Sequence, residues 1–517
     1  MNLTKTLKRS WRTFFGSFNK LSEIQEKAIP LIIDEKNVLL ISETASGKTE
    51  AVVAPLVERI QKQHQEDILF VLYIVPTRAL VKNIYDRIVD QFRELEISLN
   101  MKTGDYPSMR KVPNFLITTP ESLDSLICRR KEIFFDLFAV VLDEIHFLDG
   151  TARGDQLRVL LRRLKEITKE KFNTYILSAT IAEPVEMGNR YISDEFNVIQ
   201  TSGKRKIKNS FCNDLDDVYK IALEENLRKI LVFCNKRETV EALSKKAKDI
   251  WGKPYVVAHH GSLSKPVRTE AEEFMKNSPF GICFSTMTLE VGIDIGNIDA
   301  VVLAQIPWTI SAFLQRIGRA NRRGSIIRVI SLVKTDVEKS IISEMLENAK
   351  NKNLPETSYN FDLGVIIQQI FSVLFANVRG KIKKYFEILF QNLLNPDTLY
   401  LILENLVKLE WIEHRNNKYY ASTKIMNLGR YGKIHSNINS SKELPVLDIS
   451  TKKIVGKILY PIDNIFVLNA KVWKIVQKKE NKLYVKHYKS DKFLIKFRRS
   501  RNDSLYLYLL PDVLKEL

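Results

Sequence analysis

Twelve consecutive residues, Val38-Leu39-Leu40-Ile41-Ser42-Glu43-Thr44-Ala45-Ser46-Gly47-Lys48-Thr49, join four apolar positions to a small-residue loop, a lysine and a hydroxyl. That order suits a cradle for nucleotide phosphate. Small loop residues let successive backbone N–H groups turn inward onto phosphate oxygens. Lys48 would then reach the β and γ phosphates, Thr49 would set a hydroxyl on Mg²⁺, and the helix that follows would point its N-terminus at the anion. Ser42 stands where this pattern has its first glycine, and Ala45 stands inside the loop. A ligand-free strand, turn and helix shares much of the pattern, so companions elsewhere in the chain carry weight.

The apolar run Phe138-Ala139-Val140-Val141-Leu142 leads into Asp143-Glu144-Ile145-His146. Two carboxylates closing a buried strand are costly unless a cation and a water use them. Asp143 would hold Mg²⁺ and Glu144 would orient or deprotonate the attacking water. Far downstream, Gln315-Arg316-Ile317-Gly318-Arg319-Ala320-Asn321-Arg322-Arg323 places arginines at helical spacing. Such a row could meet a phosphate developing charge across a cleft, or could be a solvated basic helix face. Gln25 could read an adenine edge, since an amide both donates and accepts; an exposed helix glutamine is the plainer reading. His259 and His260 are adjacent, so a strand would send them to opposite faces, and no Cys or carboxylate follows nearby in sequence. A metal role for them is disfavoured.

The elements that must position these groups follow from hydropathy. Apolar runs at Val38–Ile41, Ile68–Val75, Phe115–Ile117, Phe138–Leu142 and Thr174–Leu177 read as buried parallel strands separated by helices. Their ends carry Thr77-Arg78, Thr118-Thr119 and Ser178-Ala179-Thr180. Ligands of an open α/β sheet bind beyond the carboxyl ends of its strands, so these hydroxyls and helix amides could grip a phosphate backbone; alone they are ordinary helix caps. Strands at 229–233, 255–258 and 281–284 repeat the pattern without a cradle. Helical patterns at 364–375, 381–394 and 397–409, with Lys418-Tyr419-Tyr420 as a wing, fit a winged-helix domain. From about 445 short strands take over, among them 464–468, 472–476, 483–486 and 504–508. The expected fold is α/β: two tandem doubly wound parallel-sheet domains at 1–200 and 201–336, a winged-helix domain at 337–440 and a basic β-rich domain at 441–517. The lead-in helix is expected to pack Trp11, Phe14, Phe15 and Phe18 on one side.

Charge favours a polyanionic partner such as nucleic acid, although a generic solubilising surface would show the same balance. The 517 residues carry 80 Lys and Arg against 61 Asp and Glu, a net +19. Residues 426–517 hold 19 of the bases and 8 of the acids, so +11 of the excess sits in that segment. Basic and aromatic residues alternate there, which suits backbone binding with base stacking, although a β-barrel with a solvated basic face fits equally. Four scattered cysteines form no Cys-x-x-Cys pair, which argues against a disulfide framework or a zinc site and for a reducing cytosol. No stretch approaches the roughly 20 apolar residues of a membrane span, and the basic N-terminus lacks a signal-peptide core. A cytoplasmic protein without a membrane partner is expected.

These motifs, in this order, resemble the superfamily-two DEAD/DEAH-type helicases, whose core is two RecA-like domains with ATP bound between them. Within that superfamily, Asp143-Glu144-Ile145-His146, Thr288-Leu289-Glu290-Val291-Gly292-Ile293-Asp294-Ile295-Gly296 and Leu314-Gln315-Arg316-Ile317-Gly318-Arg319-Ala320 resemble the Lhr (large helicase-related) type. So do Gly429-Arg430-Tyr431-Gly432-Lys433-Ile434-His435 and Val455-Gly456-Lys457-Ile458. The resemblance implies ATP with Mg²⁺ and hydrolytic roles for Lys48, Thr49, Asp143, Glu144, Gln315, Arg319 and Arg322. It puts Gln25, the cradle from Ser42 to Thr49, Gly292 and Asp294 around the nucleotide. Thr77, Arg78, Thr119, Asn235, His260 and Thr286 correspond to positions that grip a tracking strand. Asn321 replaces a glycine of the arginine motif. The implied activity is 3′ to 5′ translocation on a single strand with unwinding of DNA or RNA:DNA duplexes. The implied ligands are single-stranded DNA, 3′-tailed duplexes and RNA:DNA hybrids. Alternatives are an ATP-gated remodelling subunit with protein partners in a repair or defence assembly, and the motor subunit of a nuclease complex. Proteins of this type usually continue into a longer C-terminal domain, and functions resting on one are not expected of these 517 residues.

Overall fold

The computed structural model describes residues 3–515 except 19, 43–45, 64, 107–108, 110, 180, 182, 202–204, 262, 264, 291–294, 322–325, 352–359, 438–443, 452–453, 459–464, 469–470, 480–481 and 489–503. In the first domain β1 (Asn37–Ile41), β2 (Val71–Ile74), β3 (Leu99–Lys102), β4 (Phe115–Thr118), β5 (Ala139–Leu142), β6 (Asn173–Ser178) and β7 (Phe196–Gln200) form one parallel sheet in the order β3-β4-β2-β5-β6-β1-β7. Alternate residues feed two separate cores. Val38, Leu40, Val71 and Tyr73 pack on one face, while Leu39, Ile41, Leu72 and Ile74 pack on the other. Burial on both faces is why these strands are apolar without alternation.

The second domain repeats the plan. β8 (Lys206–Cys212), β9 (Lys229–Phe233), β10 (Val256–His259), β11 (Gly281–Ser285), β12 (Ala300–Leu303) and β13 (Ile326–Leu332) pair in parallel in the order β10-β11-β9-β12-β13-β8. Leu231 and Phe233 enter one core, Ile230 and Val232 the other. Five strands of the two sheets, β3, β7, β8, β12 and β13, were not anticipated. The exposed positions of β7 and the half-buried ones of β3 give no apolar run to read.

The third region is built on helix Leu363–Ala376, whose Val365, Ile366, Ile367, Ile370, Phe371 and Leu374 are all buried. Each such side chain contributes about 1.5–3 kcal/mol by leaving water. Helices Lys383–Leu389 and Pro396–Lys408 and the hairpin β14 (Ile412–Arg415) and β15 (Lys418–Ala421) share its core. β16 (Leu444–Asp448), β17 (Ile454–Ile458), β18 (Ile465–Leu468), β19 (Lys471–Lys479) and β20 (Lys482–His487) follow as a mixed sheet. The strand anticipated at 504–508 is not there. Instead Tyr506, Leu509 and Leu510 fold back in turns onto the helix Leu363–Ala376 core, and Ser504 Oγ donates to Asp362 at the N-terminus of that helix. Phe18 is also exposed, while Phe14 and Phe15 are buried and Trp11 packs beside them. The turn at Gly16 and Ser17 ends the helix before Phe18 can share its face.

This third region is fixed to the first domain through buried polar groups. Asp124, fully buried on helix Pro120–Arg129, accepts from Arg163 Nη1 at 2.8 Å, Gln368 Nε2 at 2.9 Å and Ser372 Oγ, and lies 3.1 Å from His435 Nδ1. Arg129 donates to the Gly429 carbonyl and Arg162 to the Leu389 and Gln391 carbonyls. Burial alone would raise the Asp124 carboxyl, but the His435 hydrogen bond and charge, with Arg163 and Ser372, hold its pKa below the ordinary value. Among the described residues no helix is long and apolar enough to cross a membrane.

Removing one partner of a buried pair strands the other charge, a loss of about 3–5 kcal/mol. Asp124→Ala is therefore expected to lower the thermal unfolding midpoint sharply. A depressed folded-state pKa means the contribution is present above the ordinary carboxylate pKa of about 3.9 and fades as pH falls through the folded value. Asp124→Asn should accordingly unfold with a shallower pH dependence on the acid side, which calorimetry between pH 3 and 7 reads directly.

Candidate functional site

The site is assembled where the first sheet runs out of hydrogen-bonded strand. β1 ends at Ile41, and Ser42 extends it by donating its N–H to the Ser178 carbonyl at 3.2 Å, while its hydroxyl accepts from Thr201. Gly47 then takes φ +86°, a conformation that favours glycine, and a Cβ there would come 2.3 Å from Gln25 Nε2. Lys48 and Thr49 open helix Lys48–Gln63 and are both buried. The Lys48 ammonium donates to the Ser42 carbonyl, so it lies folded back over its own loop. Glu43, Thr44 and Ala45 lie outside the described residues.

Gln25 is engaged with the cradle. It is the third residue of helix Glu23–Ile33, where its Oε1 accepts from Ser22 N at 2.9 Å in a capping box, and its Nε2 donates to the Gly47 carbonyl at 3.3 Å. Ser22 Oγ donates to the Ser46 carbonyl at 2.8 Å. Helix and loop thus hold each other.

After β5, separated from β1 by β6, Asp143 is buried, its Oδ1 accepting from Glu144 N at 2.8 Å and its Oδ2 from the Tyr73 hydroxyl at 2.7 Å. Burial, then the charge of Glu144, push the Asp143 carboxyl up to about 6, against Tyr73, Arg87 and Lys48, which favour the anion. Glu144 sits in the left-handed region at φ 50°, ψ 40°, and caps the short turn Ile145–Phe147. His146 Nδ1 lies 3.2 Å from Ser178 Oγ, accepts from Ala179 N at 3.2 Å, and is 3.5 Å from Glu144 Oε2. The carboxylate turn is thereby tied to the end of β6. Thr180 lies outside the described residues.

Tyr73 is the group that sequence reasoning missed. Its hydroxyl interacts with Thr49 as well as Asp143, and burial raises its pKa well above the usual tyrosine value, so it stays a hydrogen-bond donor. A signal existed: a tyrosine inside an otherwise aliphatic buried strand needs a partner for its hydroxyl. The donor set of Thr49 and Asp143 is all oxygen. That chemistry suits a hard divalent ion such as Mg²⁺.

In the second domain Arg316 and Arg319 are inside, and the helix ends at Ile317, before Arg319, so the two do not form one helical row; Arg323 lies outside the described residues. Arg316, almost fully buried in helix Ile310–Ile317, donates from Nε to Glu290 Oε1 at 2.6 Å and from Nη1 to Asn235 Oδ1 at 2.9 Å. Asn235 is held in turn by Gln305 and the Ile306 carbonyl. Arg319 is equally buried, its Nη2 donating to the Glu290 carbonyl at 2.5 Å. Glu290 therefore organises both arginines, a role its place before the glycine motif did not advertise. Gln315 is half-buried on the same helix. Gly292, Asp294 and Arg322 lie outside the described residues.

The candidate strand contacts differ in access. Thr77 caps helix Arg78–Glu94 by accepting from Leu80 N, and Arg78 is exposed beside Asp105 at 3.0 Å. Thr119 precedes helix Pro120–Arg129 and is buried, within 3.4 Å of Ser122 Oγ. His260 is buried with Nε2 2.6 Å from Glu241, and Thr286 is half-buried, donating its N–H to the His259 carbonyl. His259 meets Thr288 and Glu272 at 2.8 Å each, so the two histidines point to different partners.

Two doubly wound sheets in tandem, a phosphate cradle beside a carboxylate pair on the first, and arginines on the second define a tandem RecA-like architecture. Residues 22–187 match the DEAD/DEAH box helicase family and residues 213–324 match the helicase conserved C-terminal domain. The chain belongs to the superfamily-two DEAD/DEAH-type helicases and is similar to their Lhr type. It is 31% identical over 474 residues to the ATP-dependent helicase Lhr-Core of Sulfolobus acidocaldarius, which covers 81% of this chain and 51% of that protein. Lhr-Core protein 2 of Thermococcus barophilus is 29% identical, covering 92% of this chain and 63% of its own length. The chain thus spans about half to two thirds of these relatives. In fold it is similar to the Mycobacterium smegmatis helicase Lhr solved with single-stranded DNA and AMP-PNP, with a TM-score of 0.73 and 22% identity over 84% of this chain and 63% of that one. The DUF1998 helicase MrfA solved with DNA and AMPPNP gives a TM-score of 0.67 at 20% identity, covering 94% and 72% of the two chains.

If Glu144 handles the attacking water, Glu144→Gln keeps the side chain's shape but cannot take a proton. ATP binding, read by a fluorescent analogue, should be retained while turnover falls about 10²-fold or more. Loss of binding instead would make Glu144 a structural residue.

Proposed function

We propose that this chain is a nucleic-acid-dependent ATPase that hydrolyses ATP between its two doubly wound domains, moves 3′ to 5′ along a single strand and separates duplexes. The observation that carries this reading is the convergence of Lys48, Thr49, Tyr73, Asp143 and Glu144 on the same sheet edge as Thr77 and Thr119. Fuel and track would meet one rigid sheet. The relatives support it: the Sulfolobus protein is named an ATP-dependent helicase, and the Mycobacterium structure holds single-stranded DNA and AMP-PNP. By the same reasoning the ligands are single-stranded DNA and 3′-tailed duplexes, with RNA:DNA hybrids as a further substrate. The basic C-terminal segment would add an electrostatic grip.

In this reading Lys48 leaves the Ser42 carbonyl for phosphate oxygens, and Gln25 keeps the loop backbone in place while its remaining donor faces adenine. Mg²⁺, held by Thr49 and Asp143, would neutralise phosphate charge; Tyr73 orients Asp143 for that task. Glu144, fixed by its left-handed backbone, would set the water. Arg319 would exchange the Glu290 carbonyl for a phosphate oxygen when the domains close, with Arg322 beside it and Gln315 near the water. Gly292 and Asp294 would line the ribose side. Asn235, His260 and Thr286 would hold the strand from the second domain, opposite Thr77, Arg78 and Thr119.

Strand displacement tests the whole reading. With ATP, a duplex bearing a 3′ single-stranded tail should be separated, while blunt and 5′-tailed duplexes should not. Displacement from the 5′ tail would reverse the polarity. ATP turnover stimulated by nucleic acid without displacement of any duplex would favour an ATP-gated remodelling subunit.

A further inference from the structure

Arg153 is the second residue of helix Ala152–Ile167, where a cation opposes the helix dipole. It is nevertheless held firmly. Its Nε donates to Glu121 Oε1 at 2.5 Å, and its Nη2 donates both to Glu121 Oε2 at 3.0 Å and to the Pro76 carbonyl at 2.6 Å. Side chains on both sides of the pair are about four-fifths buried, at 23% and 19% exposure. A bidentate guanidinium–carboxylate fork with a third acceptor fixes geometry as well as charge.

What Arg153 joins is specific. Pro76 directly precedes Thr77, the cap of the helix that follows β2, and Glu121 lies in the first turn of the helix that Thr119 opens after β4. β2 and β4 are neighbours in the sheet, so the two helix N-termini stand side by side at its carboxyl edge. Exposed amides at such ends attract phosphate oxygens. Glu121 would spoil that attraction if its charge were open, and Arg153 cancels it. The same helix is tied to the carboxylate turn. Its cap Thr151 donates to the Leu148 carbonyl at 2.6 Å, and Gly154 packs so tightly there that a Cβ would lie 2.2 Å from that oxygen. Leu148 closes the turn that Glu144 begins, its N–H bonded to the Ile145 carbonyl.

We infer that Arg153 is a positioning residue that sets the spacing of these two helix N-termini for successive phosphates of a single strand, masks Glu121 between them, and joins them to the Asp143-Glu144 turn. The inference rests on the reading of the chain as a nucleic-acid-dependent ATPase, but names a residue outside both the nucleotide cleft and the strand contacts.

The test compares wild type with Arg153→Gln, Arg153→Lys and Glu121→Gln, reading ATP turnover against the concentration of an oligo(dT) strand. Arg153→Gln should raise the concentration for half-maximal stimulation tenfold or more, with turnover lacking nucleic acid and the KM for ATP within twofold of wild type. Arg153→Lys should recover part of the loss, because the charge stays while the fork is lost. Glu121→Gln should shift it less than threefold, because the Pro76 contact remains and no open carboxylate is left. The inference is overturned if Arg153→Gln leaves half-maximal stimulation unchanged. It is equally overturned if the variants lose basal and stimulated turnover together with a lowered unfolding midpoint, since Arg153 would then only support the fold. A wild-type protein indifferent to every strand would instead remove the ATPase reading itself, and the inference with it.

Discussion

A parallel sheet covered by helices on both faces can offer polar groups only where its strands end. In this chain that constraint decides the location of nearly everything that can do chemistry. Ser42, Lys48 and Thr49 follow β1, Thr77 follows β2, Thr119 follows β4, Asp143 and Glu144 follow β5, and Ser178 closes β6. The second sheet does likewise with Asn235 after β9, His260 after β10 and Thr286 after β11. Burial then does electrostatic work: it raises the Asp143 carboxyl and keeps the Tyr73 hydroxyl protonated.

The domains are joined unequally. The first domain and the helix Leu363–Ala376 region share hydrogen bonds linking Asp124 and Arg163 to Gln368, Gln369 and Ser372, and a common apolar core that includes Val159. Opening that seam would strip the buried Asp124–Arg163 pair of its Gln368, Gln369, Ser372 and His435 partners. The second domain instead holds its own arginines, with Arg316 and Arg319 on Glu290. A motor of this build would move the second domain against a block made of the other two, and Arg319 would change partners as it does so.

Much of this was legible in the chain. The cradle, the carboxylate pair and the central strands β1, β2, β4, β5, β6, β9, β10 and β11 follow from apolar runs ending in small or polar residues, because two-sided burial favours that pattern, whereas β3, β7, β8, β12 and β13 were not read. Helices Leu363–Ala376 and Pro396–Lys408 and the Lys418–Ala421 wing strand likewise fall where periodicity put them. What was hidden depends on contacts distant in sequence. Tyr73 looked like one more apolar residue, and Glu290 like part of a glycine motif. The residues at 504–510 have strand-like composition, yet their apolar side chains find the third region's core, and packing overrode local preference. Asp124, with partners up to 311 residues away, gave no local sign at all.

The central claim is that a single strand completes the ATP site by bringing the second domain's arginines to the first domain's phosphate cradle. Steady-state ATP turnover, measured without nucleic acid and at saturating single-stranded DNA, single-stranded RNA and 3′-tailed hybrid, addresses it most directly. The account predicts slow basal turnover that rises at least tenfold with at least one of these strands, and an Arg319→Ala variant that keeps the basal rate but loses the rise. Turnover equally fast with and without every strand, or an Arg319→Ala variant stimulated like wild type, would contradict it.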